Sequence, residues 1–336
     1  MAGGSKRAVY FAIVGNSLVT VAKLVGFGLT GSGAMLSEGI HSAADVANQS
    51  LLALGLRRGE LPPDEEHPDG YGREAFVWSI ISAVGIFFLG CGVTLMHGIS
   101  SLTSDHGHKT ESLGLAIGIL LFALVIEGIA LWVAVAGLRA EAKSRQLSFW
   151  EHVRTTSDPF GVAVLLEDSA AVFGVLIALA AVVLTKVTGH AYWDAIGSIA
   201  IGVLLGMVAL FLIAKNRSLL IGEKIHVQRH AELVGMLEND PAVDEVVTDR
   251  AVVTGAQTFR FSAELEFSGT YMANRFLEGR SVTEIREGIT SDEALVAFLE
   301  EFGEALMDQV GDEVDRIESK IRENFPAAQR VELEPD

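Results

Sequence analysis

Long apolar runs separated by short polar breaks organise the first two thirds of the chain. Runs near the roughly 20 residues that cross a bilayer lie at Val9 to Leu29, Ala34 to Leu56, Phe76 to Ile99, Leu113 to Leu138, Phe160 to Val187 and Ala195 to Ala214. Each predicts a membrane-spanning helix, the second being the least apolar. After Lys215 the pattern changes to the short periods of a water-facing fold. Phe259, Phe261, Ala263, Leu265 and Phe267 alternate with Arg260, Ser262, Glu264 and Glu266, which predicts a strand with one buried face. A second strand is expected around Glu245 to Val253, a helix around Ala231 to Glu238, and a long charged helix from Ser291 to about Asn324. The expected architecture is an all-α membrane bundle of six helices over residues 1–215, followed by a small α+β cytoplasmic domain over residues 216–336.

Composition agrees with that division. Half of the 336 residues are hydrophobic and the mean hydropathy is +0.38, more apolar than a water-soluble domain of this size. The formal net charge is −18, but from Arg217 onward there are about 26 acids against about 12 bases, so most of the excess lies in the last third. The lone Cys91 sits in an apolar run and reads as a packing residue. The bases near the span ends, Lys6, Arg7, Arg57, Arg58, Arg73, Arg139, Lys143, Arg145, Arg154, Lys215 and Arg217, all fall on one side of a six-span arrangement. By the positive-inside rule both termini are then cytoplasmic, in a bacterial inner membrane or an organelle membrane.

The second run contains residues that hydrocarbon does not tolerate. Within Ser37 to Asn48, Glu38, His41, Asp45 and Asn48 recur every three or four residues and so share one helical face. A charge at the bilayer centre costs about 2.5–3.5 kcal/mol even on the lenient insertion scale, so this stripe must face protein or water. An interhelical hydrogen-bond network is one reading. The other is a metal site: His41 and Asp45 offer a nitrogen and oxygens, and a cation such as Zn²⁺ takes four such donors. A second helix must complete the shell. The fifth run places Glu167 and Asp168 about three turns beyond an Asp158-Pro159 start signal. Adjacent residues diverge by about 100°, so both reach one ion only if it lies between their directions; Asp168 is the firmer ligand.

The segments SEGIHSAADVANQ, HPDGYGREAF and DAIGSIAIGVLLG, in that order and followed by an acidic α+β tail, resemble the cation diffusion facilitator family of divalent-metal transporters. LLEDSAAVFGV together with VDRIESKIRENFPAAQRVELEP is similar to the branch of zinc transporters that includes the animal mitochondrial zinc exporter. The resemblance implies a homodimer of six-span protomers with ferredoxin-like cytoplasmic domains, exchanging a metal ion for protons. It also implies ligand pairs four residues apart on the second and fifth spans. His41 and Asp45 match the first pair. Asp168 matches the second member of the other, whose first place is occupied by Val164; Glu167, water or Asn48 then stands in for the missing ligand. Asp64 and His67 match accessory ligands in the loop after the second span, with Tyr71 where a second histidine is expected, and a solvated loop is at least as good a reading. His226 and His230 are four residues apart, but a surface helix is the better reading, and no well-formed tail metal site is expected.

Glu127 lies within the fourth run, either as a structural partner for Lys23 or Asn16 or in proton handling. His106 and His108 are loop residues. The EAKSRQLSFWEHVR segment reads as an interfacial connector. No phosphate-binding loop is present to couple transport to ATP, and no hydrolytic or nucleic-acid-binding motif occurs, so an enzyme is not expected and no cofactor beyond the transported ion is required. The expected function is proton-coupled export of a divalent metal by alternating access, Zn²⁺ first, with Mn²⁺, Fe²⁺ or Co²⁺ as alternatives. Protons compete with metal at His41, Asp45, Glu167 and Asp168. A passive channel would spread acids along a pore, whereas here they cluster at one depth. A membrane scaffold that recruits partners through its acidic tail is the remaining alternative.

Overall fold

The computed structural model describes residues 3–30, 33–103, 113–144, 146–156, 158–190, 192–256 and 258–336. The chain folds as two compact units that divide after Ile221.

The first unit is helical. It comprises α1 (Gly3–Thr30), α2 (Gly33–Arg58), α3 (Glu74–Gly85) running through a π-helical stretch (Ile86–Gly92) into α4 (Val93–Thr103), α5 (Leu113–Ser144), α6 (Phe149–Thr155), α7 (Pro159–Thr188) and α8 (Tyr192–Ile221). Among the described residues, Glu74–Leu102, Ile117–Ser144, Pro159–Thr185 and Ala195–Ile221 are long and apolar enough to cross a membrane. α1 and α2 are also long, at 28 and 26 residues. The polar stripe of α2 lowers its hydropathy.

Burial in this unit is inverted relative to a water-soluble bundle. Large apolar side chains face outward, with Trp132 70% and Phe88 67% exposed, while the interior is rich in small residues such as Ala123, Ala134, Ala163, Ala195 and Ala209. Such outward surface is stable only against lipid. Close backbone approach does the packing inside. A Cβ added at Gly98 would lie 3.1 Å from the Ala195 carbonyl, and one at Gly206 would meet Cys91 Sγ at 2.9 Å, so these glycines let α4 and the π-helical stretch lie against α8. Cys91 is the buried packing residue its context indicates.

Local signals set the helix bearing the acids. Asp158 caps α7 by accepting from the N–H groups of Phe160 at 3.0 Å and Gly161 at 3.3 Å, and Pro159 occupies the first turn, where its missing N–H costs nothing. Gly189, at φ 72°, terminates the helix in a left-handed turn. The connector before α7 contains α6, with Trp150 68% exposed and His152 buried, the His152 ring lying 3.6 Å from Glu141.

The second unit contains α9 (Val227–Glu238), β1 (Val243–Gly255), β2 (Thr258–Phe267), α10 (Gly269–Leu277), α11 (Val282–Gly288), α12 (Asp292–Asn324) and β3 (Ala328–Pro335). The strands are ordered β1-β2-β3, with β2 and β3 parallel and Phe261 opposite Val331. A parallel pair needs a crossover, and α10 to α12 supply it. The alternation seen in β2 buries Phe259, Phe261, Ala263 and Leu265, and Leu233 and Leu237 of α9, Met272 and Phe276 of α10, and Ile317 and Ile321 of α12 are buried as well. Ser291 caps α12, its hydroxyl accepting from Ala294 N–H at 3.2 Å.

Two buried acids are gripped by bases. Asp240 accepts from Arg316 at 2.5 Å and Lys320 at 3.0 Å, and Glu313, wholly buried, pairs with Arg316 at 2.6 Å and with Arg275. Burial alone pushes the Asp240 carboxyl up, but the hydrogen bonds from Arg316, Lys320 and the Ala242 N–H outweigh it and hold the group below its ordinary value of 3.8. This cluster ties the turn between α9 and β1 to α12, and α12 to α10.

Candidate metal site between two helices

α2 carries the polar stripe and α7 the adjacent acids, and the two helices meet. The Asn48 side chain bridges them: its Nδ2 donates to Glu167 Oε1 at 2.9 Å, while its Oδ1 accepts from Ser82 Oγ of α3 at 2.6 Å. Asn48 and Ser82 are both buried. Asp45, three residues before Asn48 and on the same helical face, is half-buried and lines a cavity of about 100 Å³ with Asn48, Gly85, Ile86, Leu89 and Leu205.

On α7, Glu167 is half-buried and Asp168 is only 4% exposed. Their charges act on one another and on Asp45, and Asp168 is also in electrostatic range of Glu127 on α5. Several acids therefore converge on one region of the unit's interior. Asp168 Oδ2 is buried and has no hydrogen-bond partner among the described residues. An uncompensated buried oxygen of this kind is costly, and a cation would satisfy it.

His41 lies on α2 one turn before Asp45, but its side chain is outside the described residues, as are those of Glu38 and Lys23. Among the described residues no three His, Cys, Asp or Glu side chains come together tightly enough to hold an ion by themselves. Val164, one turn before Asp168, is fully buried. One residue of this region, Ser82, escaped sequence reasoning. Ser82 lies on a third helix, and its only signal is a serine pair, Ser79 and Ser82, inside an apolar run and both buried. Glu127, expected either beside Lys23 or Asn16 or in proton handling, is in electrostatic range of Asp168.

The accessory positions have other partners. Tyr71 Oη donates to Asp64 Oδ2 at 2.6 Å, and the His67 ring lies 4.3 Å from that of Tyr71. The hydrogen bond to Asp64 pushes the exposed Tyr71 phenol up to about 12, and the same bond holds the Asp64 carboxyl below its ordinary value. His226 caps α9 by accepting from Gln228 N–H at 3.4 Å, whereas His230 pairs with Asp249 of β1. The two tail histidines thus serve different partners. His106 and His108 lie outside the described residues.

Apolar helices with lipid-compatible exteriors, enclosing several acids, define an integral, multi-pass membrane protein. The cation efflux transmembrane domain matches residues 9–221, and the chain belongs to the cation efflux, or cation diffusion facilitator, family. It is 39% identical over 335 residues to the mitochondrial proton-coupled zinc antiporter SLC30A9 of Homo sapiens, covering 98% of this chain and 58% of that protein. It is 39% identical over 337 residues to Metal tolerance protein C4 of Arabidopsis thaliana, covering 98% of this chain and 73% of the relative. A shorter match, 31% identical over 100 residues, links it to Magnetosome protein MamM of Magnetospirillum gryphiswaldense, over 30% of this chain and 31% of that one. The chain spans little more than half the length of the human protein it matches.

Proposed function

We propose that this protein moves a divalent metal ion, Zn²⁺ first, across a membrane in exchange for protons, with His41, Asp45, Glu167 and Asp168 as the ligands. The observation that carries this reading is the meeting of α2 and α7 at Asn48 and Glu167, which sets Asp45, Glu167 and Asp168 in one interior region. The similarity, over 98% of this chain, to a protein named as a proton-coupled zinc antiporter supports the choice of ion and of counter-ion.

Ligands bind metal only when deprotonated, so metal entry releases protons and reprotonation from the opposite face expels the ion. The site alternates between two forms, one open to each side, so that metal binds from one side and leaves to the other while protons move the opposite way. Acids that repel one another at close range favour a bound dication over an empty, fully ionised site. The protein acts as a homodimer of six-span protomers with both termini cytoplasmic and exports metal from that side. For the second unit we infer a ferredoxin-like arrangement, supported by the helix-strand-strand-helix-strand order of its elements from α9 to β3.

With Val164 in the place of a ligand one turn before Asp168, the set has one imidazole and several carboxylates, a harder donor set that also suits Mn²⁺, Fe²⁺ or Co²⁺. Purified protein in liposomes, supplied in turn with Zn²⁺, Mn²⁺, Fe²⁺, Co²⁺ and Cd²⁺, tests the proposal. Uptake of Zn²⁺ that is lost in Asp45→Ala is expected. Absence of uptake for every ion would leave the scaffold reading in its place, and ion current without saturation would favour a channel.

A further inference from the structure

We propose that Ser82 and Asn48 are positioning residues for the metal site: Ser82 sets which way the Asn48 amide points, and Asn48 in turn aims the Glu167 carboxylate. The inference rests on the reading of Glu167 as a ligand.

The geometry is specific about direction. A serine hydroxyl can give or receive a proton, but an amide has one accepting end and one donating end. With Ser82 Oγ donating to Asn48 Oδ1 at 2.6 Å, the Nδ2 end is left for Glu167 Oε1 at 2.9 Å. If the amide turned over, its oxygen would face the carboxylate, and a favourable contact would become a repulsive one. Ser82 and Asn48 are 1% and 8% exposed, so bulk water does not readily replace either bond.

The same arrangement distinguishes two roles for Asn48. Both ends of its amide are engaged, one by α3 and the other by α7, so its oxygen is turned to Ser82 and not offered to an ion. Asn48 therefore acts through Glu167. Because it is three residues from Asp45 on the same face of α2, it fixes one acid of α7 relative to one of α2, with α3 as the third support. Glu167 Oε1 is held by Asn48, and Oε2 is the oxygen available to the metal. Hydrogen-bond partners that orient metal ligands in this way typically change affinity or activity by about 10- to 100-fold when removed.

The test is a double-mutant cycle on the full chain in detergent, with Zn²⁺ alone as titrant at fixed pH and the affinity of the strongest site as readout. Ser82→Ala, which removes one hydroxyl, and Asn48→Ala are each made in the native background and in Glu167→Gln. The expected result is a weakening on the order of ten-fold by Ser82→Ala and by Asn48→Ala in the native background, and little further loss in either once Glu167 is Gln. A residue that only supports the bundle would weaken binding equally in both backgrounds, and that result would overturn the proposal, as would unchanged affinity in Ser82→Ala and Asn48→Ala. If Glu167→Gln itself leaves affinity unchanged, the ligand assignment of Glu167 fails first and the positioning role falls with it.

Discussion

The amide of Asn48 donates to the carboxylate of Glu167 across 2.9 Å, joining residues 119 positions apart in the chain. That bond joins the Glu167 side of α7 to α2. Glu167→Gln and Asp168→Asn each remove one anionic oxygen donor from that region, and each is expected to reduce Zn²⁺ transport by roughly ten-fold or more. His41→Ala and Asp45→Ala are expected to abolish it, since loss of one of four donors removes much of the binding energy. Initial rates in liposomes, with the quantity of reconstituted protein matched, check the series.

Val164 and Asp168 stand one turn apart on α7, and both are buried. Val164→His places an imidazole beside the acids. The expected outcome is a higher ratio of Zn²⁺ to Mn²⁺ uptake than in the native chain, because a second nitrogen softens the donor set. An unchanged ratio would mean that position 164 does not face the ion.

The loop acids behave differently from the interior ones. Asp64 is engaged by Tyr71 at 2.6 Å, and both side chains are in solvent. Asp64→Asn and His67→Ala are therefore expected to leave Zn²⁺ transport within about two-fold of native, since a neutral change in an exposed loop removes no interior ligand. Transport assays on both variants decide whether this loop supplies metal.

The buried cluster at Asp240 predicts a stability effect in the second unit. Arg316 serves both Asp240 and Glu313, and Arg316→Ala leaves those buried carboxylates short of a donor. A loss of about 2 kcal/mol is expected, seen as faster hydrogen exchange of the β1 to β3 amides in the full chain. Because Asp240 is held below its ordinary 3.8, the unfolded chain binds its proton more readily. The contribution is therefore complete above about pH 3.8 and is lost as pH falls through the lower folded value. At neutral pH it does not vary.

Much of this was legible in the sequence, for physical reasons that differ by element. The apolar run Phe76 to Ile99 lies inside the helical stretch Glu74 to Thr103, because twenty-odd apolar residues have few alternatives in a bilayer. The alternation from Phe259 to Phe267 became β2 for the same kind of reason, a period of two matched to one buried face. α10 and α11 went unread, since nine and seven residues of mixed polarity carry too little periodicity to stand out. On α2 and α7 the acids and the histidine could be placed by their spacing, but which oxygen meets which donor could not. Ser82 contacts Asn48 only because α3 packs on α2, and Glu127 reaches Asp168 only because α5 lies against α7; neither neighbour is encoded by spacing along one helix.

The most direct test of metal–proton exchange at this site is simultaneous measurement of both ions. Liposomes carrying the purified protein, with a Zn²⁺ indicator and a pH indicator inside and the membrane potential clamped, are given external Zn²⁺ with and without an acidic interior. The expected result is Zn²⁺ entry accompanied by alkalinisation of the interior, faster when the interior starts acidic and absent in Asp45→Ala. Zn²⁺ entry at an equal rate with no pH change and no dependence on the proton gradient would contradict it.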